Sequence, residues 1–377
     1  MITFLKSLIN LFVYFNIDNK NKKFVFYSES KFYRDHFIDL INNMLDLGEK
    51  KIILVTSDLD EYNFFNNKIR CIYIANFLIL DFFFKTLKCQ FLIMTLTDLG
   101  SHLKKSKQCQ KYVYFFHALA STHEVYTKTA FKEYDIILTN GPYQKKELRL
   151  AEKKYNFPKK EIINIGYFFL DYIKKKSNLL IKEKNHILFA PSWNYNKKNL
   201  FDDYGIDIIE KLILSNFIVT FRPHSEHFKR SKNQIEKIIS LYSNNKNFYL
   251  DKENSNLKSL EKASLIITDN SSIVFEFLLI FKRPIVYMDY IKKIHNIDSA
   301  EIDIETIEQK LKNIFGNIIS INSIDKLADF CNDLIVNTGK EQIDKIDIFH
   351  KENFSNIGSA ATSAVNFLIK KSNDKES

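Results

Sequence analysis

Short apolar runs alternate with amphipathic stretches along most of the chain. The first half holds seven such runs, at residues 24–27, 52–55, 71–74, 91–94, 112–116, 136–138 and 162–165. The second half holds six more, at residues 186–189, 218–221, 247–250, 265–267, 285–287 and 318–321. Strands of a parallel sheet are covered by helices on both faces and therefore read as continuous apolar runs. The pattern predicts βαβ units and a parallel sheet in each half.

Apolar residues between these runs recur at the spacing of an α-helix. Gly48 stands where the first of these predicted helices would end. The apolar residues of that helix are Tyr33, Phe37, Leu40, Ile41, Met44 and Leu45. Further helices are predicted at residues 206–214, 235–242 and 359–370.

A polar and basic stretch at residues 174–184 separates the two series of runs, and we place the interdomain linker there. We predict a Rossmann-like domain at residues 1–175, a second at 185–357, and a C-terminal helix and tail at 358–377. Two such α/β domains suggest halves that face each other across a cleft. Ligands of open parallel sheets bind beyond the carboxyl ends of the strands, so polar residues at strand ends are the candidates.

Composition narrows the class of protein. The 377 residues include 34 Phe and are 45% hydrophobic, which excludes a disordered chain. The net charge of +10 is compatible with phosphates or anionic lipids, but it equally describes a solvated Lys-rich surface. The lysine clusters are dispersed and lack interleaved aromatic residues, so we predict no nucleic-acid partner. Four cysteines without metal-ligand or redox spacing predict free buried thiols.

The N-terminal segment, residues 1–15, is apolar but shorter than the roughly 20 residues of a membrane span. It also lacks the small-residue cleavage site of a signal peptide. Lys20, Lys22 and Lys23 follow it. Two interpretations remain open: a helix inserted shallowly at an anionic membrane surface, and a first helix packed on the domain.

The segment 265–279 carries the strongest chemical pattern. A buried strand leads into Thr268, Asp269, Ser271 and Ser272, and an apolar helix with Glu276 follows. Free backbone N–H groups and hydroxyls at such a turn form an anion site. Ordinary capping accounts for one hydroxyl only, and the third residue after each serine is apolar, which excludes a capping box.

Two further strand ends in the second half carry polar residues. Arg222 and His224 flank a proline directly after the run 218–221, and a guanidinium suits phosphate. Ser192 follows Ala190 and Pro191 after the run 186–189. Trp193 beside it is interpreted either as core packing or as a wall of the ligand pocket. The alternative interpretation of Arg222 is that it lies in a surface turn and binds no ligand.

In the first half, His117 ends the run 112–116 and is a candidate general base, because its unperturbed pKa is about 6.5. A lone histidine at a strand end is more often structural. His123 and Asn140 lie in or near strand-end loops of the same half and are candidates for contacts with a second substrate.

Together these motifs resemble the CDP-glycerol glycerophosphotransferase family, which includes teichoic-acid primases and polymerases. The resemblance rests on four elements in order across residues 185–289, and His117 matches the family's His-Gly motif with Ala118 in place of glycine. Asn270 replaces the usual tyrosine. The elements are Ala190-Pro191-Ser192-Trp193, Arg222-Pro223-His224, Thr268-Asp269-Asn270-Ser271-Ser272 with Glu276, and Lys282-Arg283-Pro284.

The resemblance implies a GT-B fold, in which the C-terminal domain binds the nucleotide donor and the N-terminal domain lies on the acceptor side. It implies His117 as the base on the acceptor hydroxyl and Glu276 as a partner of the ribose or of a catalytic group. It implies transfer of a polyol phosphate from a CDP-linked donor to a lipid-linked or polymeric surface-glycan acceptor. Its implied donor-site residues are Ser192, Arg222, His224, Thr268, Asp269, Ser271 and Ser272.

The resemblance also implies a location at the inner face of the bacterial membrane, with peripheral contact to anionic lipid. No organic cofactor is expected and no metal-ligand cluster is evident, although a Mg²⁺ held by substrate phosphates stays open. Two alternatives remain. One is a GT-B glycosyltransferase that uses a nucleotide sugar in surface polysaccharide or lipooligosaccharide synthesis. The other is a non-catalytic scaffold.

Overall fold

The computed structural model describes residues 2–97, 99–179, 183–194, 198–253, 255–291, 296–337 and 339–374. The chain divides into two compact units. The first comprises Met1–Tyr172, Asp298–Ile302 and Asn353–Ser377, and the second comprises Ile173–Ile297 and Asp303–Glu352. The predicted domain bounds do not assign the C-terminal helix to either domain. In the structure this helix packs on the first unit, where its alanines, Val365 and Leu368 form part of the core.

The first unit contains a seven-stranded parallel sheet. All seven apolar runs predicted in this half are strands. The strand order is β3-β2-β1-β4-β5-β6-β7, so the order reverses between β1 and β4. The strands are β1 (Phe24–Ser28), β2 (Ile52–Thr56), β3 (Arg70–Tyr73), β4 (Cys89–Met94), β5 (Cys109–Phe115), β6 (Ile136–Thr139) and β7 (Glu161–Asn164).

Helices cover both faces of this sheet. The core on one face contains residues of α2 and α16, including Phe37 and Leu368. The core on the other face contains Leu11, Tyr14 and Phe83. The α-helices that the structure describes wholly or mainly in this unit are α1 (Ile2–Phe15), α2 (Arg34–Asp46), α3 (Leu59–Phe65), α4 (Phe77–Thr86), α5 (Thr122–Val125), α6 (Pro142–Tyr155), α7 (Phe168–Lys176) and α16 (Ala360–Asn373).

The second unit contains a six-stranded parallel sheet of order β10-β9-β8-β11-β12-β13. All six runs predicted in this half are strands, and the last begins two residues earlier than predicted. The strands are β8 (His186–Phe189), β9 (Ile218–Phe221), β10 (Phe248–Leu250), β11 (Leu265–Thr268), β12 (Ile285–Asp289) and β13 (Gly316–Ser320).

The helices of the second unit confirm the two amphipathic stretches predicted there. Residues 206–214 lie in α8 and residues 235–242 in α10. A π-helical turn, Phe277–Phe281, follows α12 directly. The helices are α8 (Leu200–Leu214), α9 (Ser225–Arg230), α10 (Lys232–Tyr242), α11 (Leu257–Lys262), α12 (Ile273–Glu276), α13 (Ile307–Phe315), α14 (Leu327–Asn337) and α15 (Lys340–Asn353).

The N-terminal segment forms α1, which buries Ser7, Leu11 and Tyr14 against the first unit. The Tyr14 hydroxyl donates a hydrogen bond of 2.9 Å to the Lys88 carbonyl. The helix is therefore packed on the domain along one face, while the apolar residues of its other face are exposed. Among the described helices, none combines the length and apolar composition that a membrane span requires.

The four cysteines are free and buried, as predicted. Cys89 and Cys109 lie on the adjacent strands β4 and β5, with their Sγ atoms 3.3 Å apart. Burial raises the pKa of both Cys71 and Cys331 to about 12, so these thiols are unreactive side chains of the cores.

Candidate active site

The ends of β8 and β11 are joined by the side chain of Asp269. Its two carboxylate oxygens accept hydrogen bonds from the Ser192 backbone N–H at 2.7 Å and from the Ser192 hydroxyl at 2.8 Å. Both residues are buried. These charge-assisted bonds fix the loop after β8 against the turn after β11. Asp269 thus positions Ser192, and the structure brings together two of the predicted site residues.

The turn after β11 is held in the same way at its start. The Thr268 hydroxyl donates to the Ala190 carbonyl at 2.7 Å and accepts a hydrogen bond from the Ser271 N–H at 3.4 Å. Ser272 stands at the N-cap position of α12, but its side chain makes no capping hydrogen bond, and the residue is exposed. Ordinary N-capping therefore does not explain Ser272, and the turn presents its hydroxyl and N–H groups at a helix start.

Glu276, the last residue of α12, is buried. Its Oε2 atom has no hydrogen-bond partner among the described residues. Burial raises the pKa of this carboxyl to about 7. A buried carboxyl with an unsatisfied oxygen lowers the stability of the fold, and such groups are typical of ligand-binding sites. The adjacent π-helical turn is a rare geometry that is frequent at functional sites.

Arg222 follows β9 and is held by the neighbouring strand. Its Nη1 atom donates to Asp251 Oδ2 at 2.6 Å, directly after β10. Asp251 also accepts a short hydrogen bond from the Ser259 hydroxyl. The guanidinium is thus fixed in place at the same sheet edge, and a guanidinium at such an edge suits a phosphate. His224 is exposed at the N-cap of α9, and its Nδ1 accepts the Glu226 N–H at 3.2 Å.

His227, which the sequence analysis did not identify as a candidate, contacts the Ser192–Trp193 loop from inside the second unit. It is fully buried, its Nε2 lies 3.2 Å from the Ser192 carbonyl oxygen, and its ring packs 4.8 Å from that of Trp193. Trp193 therefore packs in the interior of the unit. Arg283, part of the motif that carried the resemblance, is buried and donates to the carbonyls of Leu260, Glu261 and Ala263. Its side chain thus hydrogen-bonds the last carbonyls of α11 and stabilises the end of that helix, which is a structural role.

In the first unit, His117 follows β5 with its ring half-buried. Its Nδ1 atom is buried and has no hydrogen-bond partner among the described residues. Burial lowers the pKa of this histidine to about 4, so the ring is neutral at neutral pH and can accept a proton. Its carbonyl oxygen accepts a 2.9 Å hydrogen bond from the Tyr167 hydroxyl, which fixes the backbone at this position.

The loop after His117 is fastened by side chains of the β6–α6 segment. Asn140 Nδ2 donates to the Ala118 carbonyl at 2.9 Å, and Gln144 Nε2 donates to the Ala120 carbonyl at 3.0 Å. Glu147 Oε2 accepts both the N–H and the hydroxyl of Thr122, at 2.6 and 2.9 Å. Asn140 thus holds the loop that carries His117.

His123 is buried in the same arrangement, with its Nδ1 atom 3.8 Å from Glu147 Oε1. Glu147 and Gln144 were missed in the sequence because both lie inside the polar pattern of α6. His36 was also missed, because it is one polar residue in the first turn of the amphipathic helix α2. Its ring centre is 6.2 Å from that of His117. Its position beside His117 depends on the fold, not on any local pattern.

No group of three or more potential metal ligands comes together within the described parts of the chain. The groups described above at the two sheet edges are hydroxyls, backbone N–H groups, a guanidinium, a buried carboxyl and neutral imidazoles. Such groups bind phosphate and exchange protons.

A family model described as CDP-Glycerol:Poly(glycerophosphate) glycerophosphotransferase matches residues 11–296. The chain belongs to this family. It is a glycerophosphotransferase, and the alternative of sugar transfer is not favoured by this match. The matched range contains the strand ends described above in both units, from His117 to Glu276. No curated protein matches the sequence significantly.

Solved structures resemble this glycerophosphotransferase over nearly its whole length. The wall teichoic acid polymerase TagF has 16% sequence identity and a TM-score of 0.62, with 99% of this chain and 98% of that chain covered. A putative UDP-N-acetylglucosamine 2-epimerase from Listeria monocytogenes has 13% identity and a TM-score of 0.61, with 94% and 97% covered. The S. aureus MnaA–UDP co-structure has 12% identity and a TM-score of 0.61, with 93% and 97% covered. At these identities the likeness concerns the fold, which is GT-B-like.

Proposed function

We propose that this glycerophosphotransferase moves a glycerol phosphate or related polyol phosphate from a CDP-linked donor to a lipid-linked or polymeric surface-glycan acceptor. The observation that carries the proposal is the turn after β11 in a chain of this family. Thr268 and Asp269 fix the turn, Ser271 and Ser272 present N–H and hydroxyl groups, and Glu276 has a buried carboxyl oxygen that no described residue hydrogen-bonds.

In the proposed reaction, the acceptor hydroxyl gives its proton to His117. Its oxygen then attacks the β-phosphorus of the donor, and the bond between that phosphorus and the bridging oxygen breaks. The polyol phosphate is joined to the acceptor, and CMP leaves with the bridging oxygen. Arg222, with His224 and the turn at Ser271 and Ser272, would stabilise the charge that develops on the leaving phosphate.

Calorimetric titration of CDP-glycerol, CMP and UDP into the enzyme tests the donor site. We expect binding of the cytidine nucleotides and little binding of UDP. Arg222→Gln should weaken CDP-glycerol binding about 10- to 100-fold, because it removes charge-assisted hydrogen bonds to phosphate. Arg230→Gln, which changes an exposed arginine of the same unit, is the matched control and should bind normally. Equal affinity of Arg222→Gln and wild type would exclude Arg222 from the donor site.

We also propose that the enzyme contacts anionic membrane through an apolar surface formed by α1 and α4, which pack against each other. On α1, Ile2, Leu5, Ile9 and Phe12 are 54–73% exposed and recur at helical spacing opposite the buried face. On α4, Phe77, Leu78 and Phe82 are 50–70% exposed.

The Phe15 and Phe82 rings, 6.4 Å apart, connect the two helices of this α1–α4 surface. An exposed apolar surface of this kind marks an interaction site, and α1 has lysine as its only charged residue. These features suit shallow insertion among anionic head groups. An acceptor linked to lipid would then lie within reach of the enzyme.

Co-sedimentation with vesicles tests this surface. The double variant Phe12→Ser, Phe77→Ser should lower partitioning onto phosphatidylglycerol vesicles at least about 10-fold, since each buried Phe contributes roughly 1.5–3 kcal/mol. Val336→Ser, a change at a valine of the second unit that is 79% exposed, is the control. Unchanged partitioning of the double variant would exclude the α1–α4 surface as the membrane contact.

A further inference from the structure

His36 and His117 form a pair of neighbouring imidazoles at the carboxyl edge of the first sheet. The ring centres are 6.2 Å apart and the ring planes meet at 77°. The Nδ1 atoms of both rings are buried and have no hydrogen-bond partner in the part of the chain that the structure describes. Buried polar atoms nearly always have a partner, so two unsatisfied nitrogens on adjacent rings call for an explanation.

Aromatic side chains hold both rings in place. The His36 ring packs 4.9 Å from Phe169 and 6.0 Å from Tyr167, and the His117 ring packs 5.2 Å from Tyr33. The pair is thus enclosed by residues of the β1–α2 segment and of the β7–α7 segment. Burial first, and then the neighbouring His117, lowers the pKa of His36 to about 3, so His36 stays neutral and keeps a lone pair.

The charged neighbours of His36 in the sequence are engaged elsewhere. Arg34 Nε donates to Glu61 Oε2 at 2.7 Å, and Asp35 interacts with Tyr172. No carboxylate or carbonyl among the described residues accepts a hydrogen bond from His117 Nδ1, although a base usually has such an orienting group. The rings of Tyr33 and His36 both lie beside His117, and that of His36 also carries a buried nitrogen without a hydrogen-bond partner among the described residues.

We propose that His36 is the positioning residue for His117: it accepts the His117 Nδ1–H, through one bridging water, and so leaves the His117 Nε2 lone pair to take the proton of the acceptor hydroxyl. Two hydrogen bonds of about 2.8 Å to one oxygen span up to about 5.6 Å between nitrogens, which suits rings with this separation. The Nδ1–H tautomer is the one that makes Nε2 a base. This inference rests on the proposed role of His117.

The tautomer of His117 can be read directly in the full-length enzyme. The chain has nine histidines, so ¹⁵N-histidine labelling and long-range ¹H–¹⁵N correlation spectra at neutral pH give few signals, and His117→Ala assigns the relevant one. We expect His117 to carry its proton on Nδ1 in the wild type. A wild-type His117 with its proton on Nε2 would overturn the inference, whatever the variants do.

Two variants separate the hydrogen bond from packing. His36→Phe keeps a ring against Phe169 and Tyr167 but has no acceptor, whereas His36→Asn places an amide oxygen near the former Nδ1. We expect His36→Phe to move the His117 proton to Nε2 and to lower kcat about 10- to 100-fold, the size of effect known for removing the hydrogen-bond partner of a metal-bound histidine. His36→Asn should restore the tautomer and most of kcat.

His102→Phe, the same change at an exposed histidine of this unit, is the control and should behave as the wild type. A His36→Phe enzyme with wild-type kcat and an unchanged tautomer would refute the role of His36. The His117→Ala variant in the same assay separates the two roles. If it is inactive, the role of His117 as the base stands even when His36 is refuted. If it is active, the role of His117 as the base is refuted.

Discussion

Replacing His117 with alanine is expected to lower kcat about 10²- to 10⁴-fold, the contribution of a general base, while CDP-glycerol binding stays nearly intact. The reason is spatial: His117 follows β5 of the first unit, whereas the proposed donor residues follow β8, β9 and β11 of the second. Rate and calorimetric affinity should therefore separate. An active His117→Ala enzyme, or one that no longer binds donor, would contradict this assignment.

The pH dependence of kcat/KM gives an independent test of the same histidine. Because burial lowers the pKa of His117 to about 4, the neutral base is present above that pH and is lost on protonation below it. The acid limb that belongs to His117 should therefore lie near pH 4, well below the 6.5 of an exposed histidine. His102→Ala should leave this limb in place. A limb near pH 6.5 would contradict the lowered pKa of His117.

Replacing Glu276 with glutamine is expected to make the protein more stable and less active. The folded pKa of about 7 lies above the unfolded value of 4.5, so the ionised carboxylate is disfavoured in the fold. Below about pH 4.5 the carboxyl is protonated in both states and the variant gains little. Well above pH 7 the difference between the two pKa values corresponds to about 3 kcal/mol.

Chemical denaturation at pH 8 and pH 4.5 measures this effect. Glu276→Gln should have the higher free energy of unfolding at pH 8, and the gain should fall to about 0.4 kcal/mol at pH 4.5, where the unfolded carboxyl is half ionised. Donor affinity should fall about 10-fold, because a carboxylate accepts hydrogen bonds from a ribose that an amide accepts less well. Glu236→Gln, at an exposed carboxylate of α10, should change stability by less than about 0.5 kcal/mol. A less stable Glu276→Gln protein would show that the carboxyl has a structural partner.

The fold could be predicted because each strand is a local signal. A strand buried on both faces must be apolar at every position, as residues 24–27 and 265–267 are, so its run is visible without knowledge of its neighbours. The same logic located the candidate residues, because polar side chains directly after such runs lie at the ligand-binding edge of a sheet. The assignment of residues 353–377 to the first unit could not be predicted, because the periodicity of a helix does not reveal which sheet it covers.

The partners of the candidate residues could not be predicted. Ser192 and Asp269 are 77 positions apart and Arg222 and Asp251 are 29 apart, so nothing in their local sequence connects them. The sequence predicts Asp269 as a donor-site residue, and the structure adds that both of its oxygens accept hydrogen bonds from Ser192. Asn140 likewise reads as a loop residue and proves to hold the His117 loop. Each of these pairs joins the ends of two strands that are neighbours in a sheet, and the local sequence does not reveal which strands those are.

The most direct test of the account is the fate of the donor's β-phosphorus. CDP-glycerol labelled with ³²P at the β position is incubated with the enzyme and with membranes of the producing cell as the source of acceptor. The account predicts that the label moves to the lipid or polymer fraction while unlabelled CMP is released in equal amount. Label that stays with the nucleotide as CDP, with glycerol transferred alone, would contradict it.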